Sequence, residues 1–220
     1  MAMRNVTPGQ AKFSTSKTEI IHILVSALIL SVAMTLIFRS GSTKNYFEYN
    51  FGDSWIAVLF GVMFVLVLLS FVGHELGHKF VAQRYGLWSE YRMYPMGLLL
   101  ALMMSLVGFF IAAPGAVYIR GDYMTQEQNG KVSMAGPMVN IVLAIIGMAG
   151  TLVFNHSGLV VPMLLLMTMN ASLALFNLLP FPPMDGSKII GWNTPAWIGL
   201  IAIAGLLFVA RFMLPDLYWA

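Results

Sequence analysis

Long apolar runs recur along this chain, and they constrain its fold more than any other feature. Residues 20–38 contain no aspartate, glutamate, lysine or arginine, and residues 54–81 contain no lysine or arginine before Lys79. Each run is long enough to cross a hydrocarbon layer of about 30 Å as a helix. Only 10% of the 220 residues are charged, whereas about a quarter are charged in soluble proteins. The sequence therefore predicts an integral, multi-pass membrane protein that contacts the lipid bilayer.

Three later apolar runs have the same character. They predict transmembrane helices at about residues 135–154, 160–179 and 195–213. A shorter run at 97–113 is punctuated by glycine and predicts a re-entrant segment or a short helix. We expect residues 1–220 to form a single membrane domain with no appended soluble domain.

Two segments beside the short run have the composition of strands. Residues 91–94 and 116–119 are rich in tyrosine and β-branched residues, which favour a small sheet. The expected fold class is an all-α polytopic membrane protein of about five to six transmembrane helices. A small membrane-associated β element lies between the second span and the later core helices.

The basic residues predict an orientation in the membrane. Arg4, Lys12 and Lys17 precede the first span, Lys79 lies at the end of the second, and Arg84 and Arg92 follow it. Such residues favour the cytoplasmic side, so we expect a cytoplasmic amino terminus. The net charge is +3 and no basic cluster exists, which argues against nucleic-acid binding. Because the chain has no cysteine, a metal site must use histidine or carboxylate ligands.

The pattern H-E-x-x-H lies inside the second span, at residues 74–78. His74 and His78 are four residues apart on one helix face, where both imidazoles can bind one zinc ion. Glu75 lies beside that face and can act as a general base. Each charged group costs about 2.5 to 3.5 kcal/mol near the bilayer centre, and a shared metal offsets that cost.

A catalytic zinc site needs a third protein ligand. His22 and His156 are expected near membrane interfaces, where they are more typical of interfacial histidines than of ligands. Asp185 follows the proline-rich segment 180–183, which cannot continue a helix. Broken backbone at membrane depth occurs where it lines a cavity or lies buried in protein, which favours Asp185. The alternative is an acidic loop residue beside Lys188.

Three elements in this order resemble the site-two protease family of intramembrane zinc metalloproteases. They are His-Glu-Leu-Gly-His at 74–78, Ala-Gly-Pro-Met-Val-Asn at 135–140, and N-x-x-P-x-x-P-x-D-G at 177–186. Their joint occurrence is far more specific than the first motif alone.

The resemblance implies a catalytic zinc site. One zinc ion per chain is expected to be held by His74, His78 and Asp185, with Glu75 as the general base of peptide-bond hydrolysis. Asn177 matches a family asparagine that is expected to orient the substrate. The implied substrates are single-span membrane proteins, and the expected location is a prokaryotic cell membrane.

Other residues complete the expected site. Asn140 lies in the second motif and is assigned to substrate binding or to support of the active site, whereas Asn170 favours interhelical hydrogen bonding. A substrate helix must unwind before its carbonyl groups are accessible, and an edge strand can bind the extended segment. We assign that binding to four strand residues: Ala116, Val117, Tyr118 and Ile119.

Bringing the ligands together restricts the path of the chain. A cytoplasmic amino terminus places His74 and His78 in the cytoplasmic third of the second span. Asp185 reaches the same depth only if the 135–154 span starts on that side. Since a single crossing by residues 97–113 would place Asp185 on the opposite side, we expect that segment to dip in and return, or to pack as a hairpin.

Two other functions fit parts of this pattern. A membrane metal-binding or transport protein would use the same His and Asp ligands without proteolysis. Glu75 distinguishes a hydrolase from a transporter, because a hydrolase needs a general base and a transporter needs no carboxylate between two histidine ligands. A catalytically inactive relative would lack a catalytic residue, and every expected one is present. We therefore expect an intramembrane zinc endopeptidase, and the sequence leaves its oligomeric state open.

Overall fold

Helices dominate the computed structural model, which describes residues 13–109, 113–121, 124–154 and 157–214. In those residues, five helical segments are long and apolar enough to cross a membrane. They are Lys17–Phe38, Gly41–Arg84, Gln126–Val153, Val160–Asn177 and Thr194–Met213. The expected fold class, an all-α multi-pass membrane protein with a small β element, is confirmed.

The elements follow one another in a simple order. They are α1 (Lys17–Phe38), α2 (Gly41–Phe51), α3 (Trp55–Val67), α4 (Gly73–Arg84), β1 (Trp88–Met93), α5 (Pro95–Leu106), β2 (Gly115–Arg120), α6 (Gln126–Val153), α7 (Val160–Asn177), α8 (Asp185–Trp192) and α9 (Thr194–Ala210). A π-helical turn, Leu68–Val72, joins α3 to α4.

The second span begins earlier than predicted. The polar residues that precede the predicted span, from Gly41 onwards, form α2 and a 3-10 turn over Gly52–Ser54. The segment is amphipathic: Phe47 is buried in the core, while Lys44 and Glu48 pair one helical turn apart on the exposed side. Its polar composition therefore reflects one solvated helix face rather than a loop.

A buried ion pair joins the start of α1 to the end of α4. The Lys79 ammonium group lies 2.5 Å from the Glu19 carboxylate, and neither side chain is more than 1% exposed. The backbone N–H of Tyr91 in β1 donates to the same carboxylate at 3.0 Å. Because either charge alone would be buried without a partner, this pair fixes α1, α4 and β1 to one another.

The segment around α5 leaves the protein core and returns to its starting point. Helix α5 has 12 residues, or about 18 Å at 1.5 Å per residue, which is too short for a full crossing. The backbone N–H of Tyr94 donates to the carbonyl of Pro114 at 2.8 Å. A Cβ atom at Gly97 would overlap the carbonyl oxygen of Ala113. The end of β1 and the start of β2 therefore lie next to each other, at the two ends of the α5 segment.

Strands β1 and β2 form a two-stranded antiparallel sheet, as their composition predicts. The outer edge of β1 is covered by α1, because the backbone N–H groups of Tyr91 and Met93 donate to the side chains of Glu19 and His22. Helix α1 thus leaves only the β2 side of this sheet open.

Helix α6 provides the central packing surface of the bundle. Its N-terminus is closed by a capping box between Thr125 and Gln128, and it packs against α4, α7 and α8. After α7, the proline-rich segment interrupts the helix until α8 begins at Asp185. That break turns the chain back towards α4 and α6.

Candidate metal centre and active site

The three expected ligands lie together. The Nε2 atoms of His74 and His78, on α4, are 3.0 Å apart. The Oδ2 atom of Asp185, at the start of α8, lies 3.1 Å from His78 Nε2 and 3.5 Å from His74 Nε2. Each of these side chains is at most 10% exposed. The residues thus present three ligand atoms to one point.

These spacings suit a zinc ion. Tetrahedral zinc with ligand bonds of about 2.0 to 2.2 Å holds its ligand atoms about 3.3 to 3.6 Å apart, and the observed separations of 3.0 to 3.5 Å lie close to that range. Two imidazoles and one carboxylate are a typical catalytic donor set that leaves a fourth position open. Within the described residues, no other group of three such side chains is close enough to share an ion.

The two other histidines were weaker candidates. His22 accepts a hydrogen bond from the backbone N–H of Met93 at 3.4 Å, which is a structural contact at the sheet edge. His156 lies outside the described residues.

The second nitrogen of each ligand imidazole faces an oxygen atom. His78 Nδ1 donates to the carbonyl oxygen of Val132 at 2.8 Å, and His74 Nδ1 lies 2.6 Å from Asn140 Oδ1. Because a backbone carbonyl only accepts, His78 must carry its proton on Nδ1. Its Nε2 atom therefore keeps a lone pair for a metal.

Small residues let α6 approach this centre. A Cβ atom at Gly136 would lie 2.6 Å from His74 Nε2 and closer still to His78 Nε2. On the facing helix, a Cβ atom at Gly77 would lie 3.0 Å from the carbonyl oxygen of Ala135. The glycine of the second sequence motif is therefore required by packing against the ligands.

A cavity of about 570 Å³ adjoins the ligands. Glu75 and Val117 both line it, and Glu75 is 9% exposed. The cavity lining combines polar residues, Asn129, Ser133 and Lys188, with apolar residues that include Leu30, Met34, Met169 and Leu173.

The free edge of β2 faces this cavity. Successive residues of an antiparallel strand direct their backbone groups to opposite edges. Since Tyr91 and Met93 direct theirs to α1, their register partners on β2, Val117 and Gly115, direct theirs to the open edge. Ile119 follows the same alternation. Val117 and Ile119 both line the cavity.

Tyr91 fixes the start of that strand. Its hydroxyl group donates to the carbonyl oxygen of Pro114 at 2.8 Å and lies 3.0 Å from Ser26 Oγ. Burial raises the pKa of the Tyr91 hydroxyl, so the donor stays protonated. Gly115 has φ +148, and a Cβ atom there would lie 2.5 Å from the Tyr91 hydroxyl oxygen.

The remaining expected site residues divide into two groups. Asn177 lines the cavity, and its amide donates to the Leu173 carbonyl at 2.9 Å. Ala116 also lines the cavity, whereas Tyr118 does not and is 57% exposed. Asn140 is fully buried behind His74. Because its polar atoms are already bonded within the protein, this position favours support of the ligand over contact with the substrate.

The sequence analysis missed two groups that support the metal ligands. The carbonyl of Val132 carries no side-chain signal, because any residue supplies one. Ser70 is fully buried beside Asn140 and Asn170, and its position one turn before His74 is the one available clue.

Comparison with known proteins decides the family. No protein-family model matches the chain, and neither does a solved structure. A protein of Methanocaldococcus jannaschii named "Putative zinc metalloprotease MJ0611" is 39% identical over 209 residues. The match covers 94% of this chain and 98% of that relative. The chain belongs to the site-two protease family of zinc metalloproteases.

Shorter matches lead to the same family. "Putative zinc metalloprotease Rip2" of Mycobacterium tuberculosis is 34% identical over 154 residues, covering 61% of this chain and 60% of Rip2. "Putative zinc metalloprotease YwhC" of Bacillus subtilis is 33% identical over 148 residues, covering 57% of this chain and 66% of YwhC. The names of these relatives specify zinc, which fits the His-His-Asp donor set of this metalloprotease.

Proposed function

We propose that this metalloprotease is an intramembrane endopeptidase, which hydrolyses peptide bonds in the transmembrane segments of single-span membrane proteins. The observation that carries the proposal is the position of Glu75. Its carboxylate lies in one cavity with the three ligands and with the free edge of β2, and that cavity is lined in part by helices long and apolar enough to cross a membrane.

The residues around the cavity divide the chemistry of hydrolysis between them. A zinc ion held by His74, His78 and Asp185 would polarise the scissile carbonyl and acidify a water molecule. Glu75 takes a proton from the attacking water and passes it to the leaving amine. The Asn177 amide donates to the carbonyl oxygen as negative charge develops there. We propose one such site, and one zinc ion, per chain.

The substrate segment must be extended, because a helix hides its amides in internal hydrogen bonds. We propose that it adds to the free edge of β2. The backbone groups of Val117 and Ile119 are directed there, and Glu75 lies next to Val117. Pairing along this edge would hold a scissile bond beside the ligands.

The surroundings of the cavity fit a substrate that crosses a membrane. Its apolar lining residues, such as Met34 and Met169, suit transmembrane side chains, and Lys188 suits the polar residues that flank them. We propose that Lys188 and the amino terminus lie towards the cytoplasm of a prokaryotic cell. Arg4, Lys12 and Lys17 support that orientation.

A metal transporter is the second candidate, and it would use the same three ligands. Glu75 argues against it, because this carboxylate lines the cavity next to the ligands without belonging to the ligand group. A general base has this position, and an ion carrier has no use for it.

The test compares cleavage of a single-span substrate in proteoliposomes by the wild type and by Glu75→Gln. We expect the variant to keep its zinc and to lose cleavage by at least about a hundredfold, the lower limit of general-base catalysis. Glu127→Gln is the matched control, since Glu127 is exposed at the start of α6, and it should cleave normally. Undiminished cleavage by Glu75→Gln would refute the proposed mechanism.

A further inference from the structure

The geometry assigns a positioning role to Asn170: acting through Asn140, it fixes the tautomer in which His74 can bind a metal. This inference rests on the metal site of the proposed function, but it requires no peptide hydrolysis. Asn170 lies on α7 and reaches the ligand only through the intervening side chain of Asn140.

A chain of hydrogen bonds runs behind His74. Its Nδ1 atom lies 2.6 Å from Asn140 Oδ1. Asn140 Nδ2 donates to Asn170 Oδ1 at 2.8 Å and to the Ser70 carbonyl at 3.1 Å. Asn170 Nδ2 donates to Ser70 Oγ and to the Leu166 carbonyl, both at 2.8 Å. The side chains of Ser70, Asn140 and Asn170 are fully buried, so solvent cannot replace these bonds.

Two backbone carbonyls set the direction of the whole chain. The carbonyl oxygen of Leu166 only accepts, so the atom of Asn170 that faces it must be the amide nitrogen. Asn170 Oδ1 is then turned to Asn140, whose nitrogen also faces the carbonyl of Ser70. Asn140 must therefore present its oxygen to His74.

The orientation of the Asn140 amide determines the tautomer of His74. With the Asn140 oxygen as its neighbour, His74 carries its proton on Nδ1 and keeps a lone pair on Nε2, which faces His78 and Asp185. If the Asn140 amide were reversed, its N–H group would favour the opposite tautomer. His78 needs no such device, because the Val132 carbonyl already fixes its proton.

Asn170 supplies one of the two acceptors that hold the Asn140 amide in this orientation. The other, the Ser70 carbonyl, lies in the π-helical turn and is also bonded by the backbone N–H of Gly73. In a buried site, loss of one acceptor leaves a donor without a partner and weakens the neighbouring hydrogen bonds. Removal of the Asn170 amide should therefore release the orientation of Asn140 without touching a ligand.

The experiment uses full-length protein in detergent, with zinc as the only added ligand. Asn170→Leu should lower zinc affinity by about 10- to 100-fold, the usual effect of removing an outer-shell partner. In the zinc-free protein at a pH where the imidazoles are neutral, nitrogen NMR of labelled histidine should show His74 as the Nδ1–H tautomer. The variant should show a mixture of both tautomers.

A second variant keeps the test decisive if Asn170→Leu does not fold. Asn170→Thr can bond the Leu166 carbonyl within its own helix, as Thr35 and Thr151 do with carbonyls four residues earlier, but it offers Asn140 no amide oxygen. It should lose zinc affinity and mix the tautomers in the same way. Thr151→Val is the matched control, because it also removes a buried polar group and should change neither measurement.

Wild-type zinc affinity together with a single Nδ1–H tautomer in Asn170→Thr would overturn the assignment. Reduced affinity with an unchanged tautomer would also overturn it, since that result means that Asn170 only stabilises the fold. Both measurements are made without substrate, so they stay informative if the protein proves not to be a peptidase.

Discussion

Gly136 lies so close to His78 that no side chain fits between α6 and the ligand. A Cβ atom at that position would lie within 2.6 Å of His74 Nε2 and closer still to His78 Nε2. The approach of α6 is what allows the Val132 carbonyl and Asn140 to bond the two imidazoles. The geometry of the ligand site therefore depends on a glycine that is not itself a ligand.

We predict that Gly136→Ala loses zinc. The added methyl group must displace α6 or the imidazoles, and overpacking of this kind costs about 1 to 3 kcal/mol, which corresponds to a loss of affinity of about 5- to 150-fold. The measurement is metal content and zinc affinity of the purified protein. Gly205→Ala in α9 is the control, because a Cβ atom there meets nothing within 4 Å. Normal zinc affinity in Gly136→Ala would contradict this packing.

The open edge of β2 gives a second prediction. Val117→Pro removes the backbone N–H that is directed towards the cavity, so cleavage should fall while zinc stays bound. Val117→Thr keeps both the N–H group and the strand propensity, and it should cleave normally. Rates are compared in protein that remains monodisperse in detergent. Full cleavage by the proline variant would mean that the substrate binds elsewhere in the cavity.

The ion pair between Glu19 and Lys79 predicts a large effect on stability. Lys79→Met leaves a buried carboxylate without its partner, which should lower the free energy of unfolding by about 3 to 5 kcal/mol. Combining it with Glu19→Gln removes the charge and should recover part of that loss. Thermal unfolding in detergent measures both. Equal stability of the single variant and the wild type would show that the pair does not hold α1 to α4.

The helical spans and the ligand set could be predicted from the sequence. Where hydropathy did not predict a helix or its boundary, the reason is physical. Apolar runs located all five membrane-crossing segments, but hydropathy could not find α2, where one polar face hides a buried Phe47. It also missed the polar first turns of α6, where the Thr125 capping box determines the start.

The supporting residues of the site were harder to predict than its ligands. His74, Glu75 and His78 are adjacent in the chain, and Asp185 lies in a motif. The partners of Asn140 lie 30 and 70 residues away, so only the packing of α6 against α7 and the π-helical turn brings them together. That is why the sequence alone leaves Asn140 open between substrate binding and support of the active site.

Orientation in the membrane gives a fourth prediction. Asn45 in α2 and Glu127 in α6 are exposed at opposite ends of the proposed topology. In this cysteine-free chain, Asn45→Cys should react with an impermeant thiol reagent added to intact cells, and Glu127→Cys should react only after lysis. Labelling of Glu127→Cys from outside would reverse the proposed orientation.

The position of the cut bond tests the central claim most directly. A single-span substrate is incubated in proteoliposomes with the zinc-loaded enzyme, and the products are mapped by mass spectrometry. We predict cleavage between two residues of the apolar transmembrane segment, with no such product from Glu75→Gln. A cut confined to the flanking polar residues, or the same product from Glu75→Gln, would contradict an intramembrane zinc peptidase.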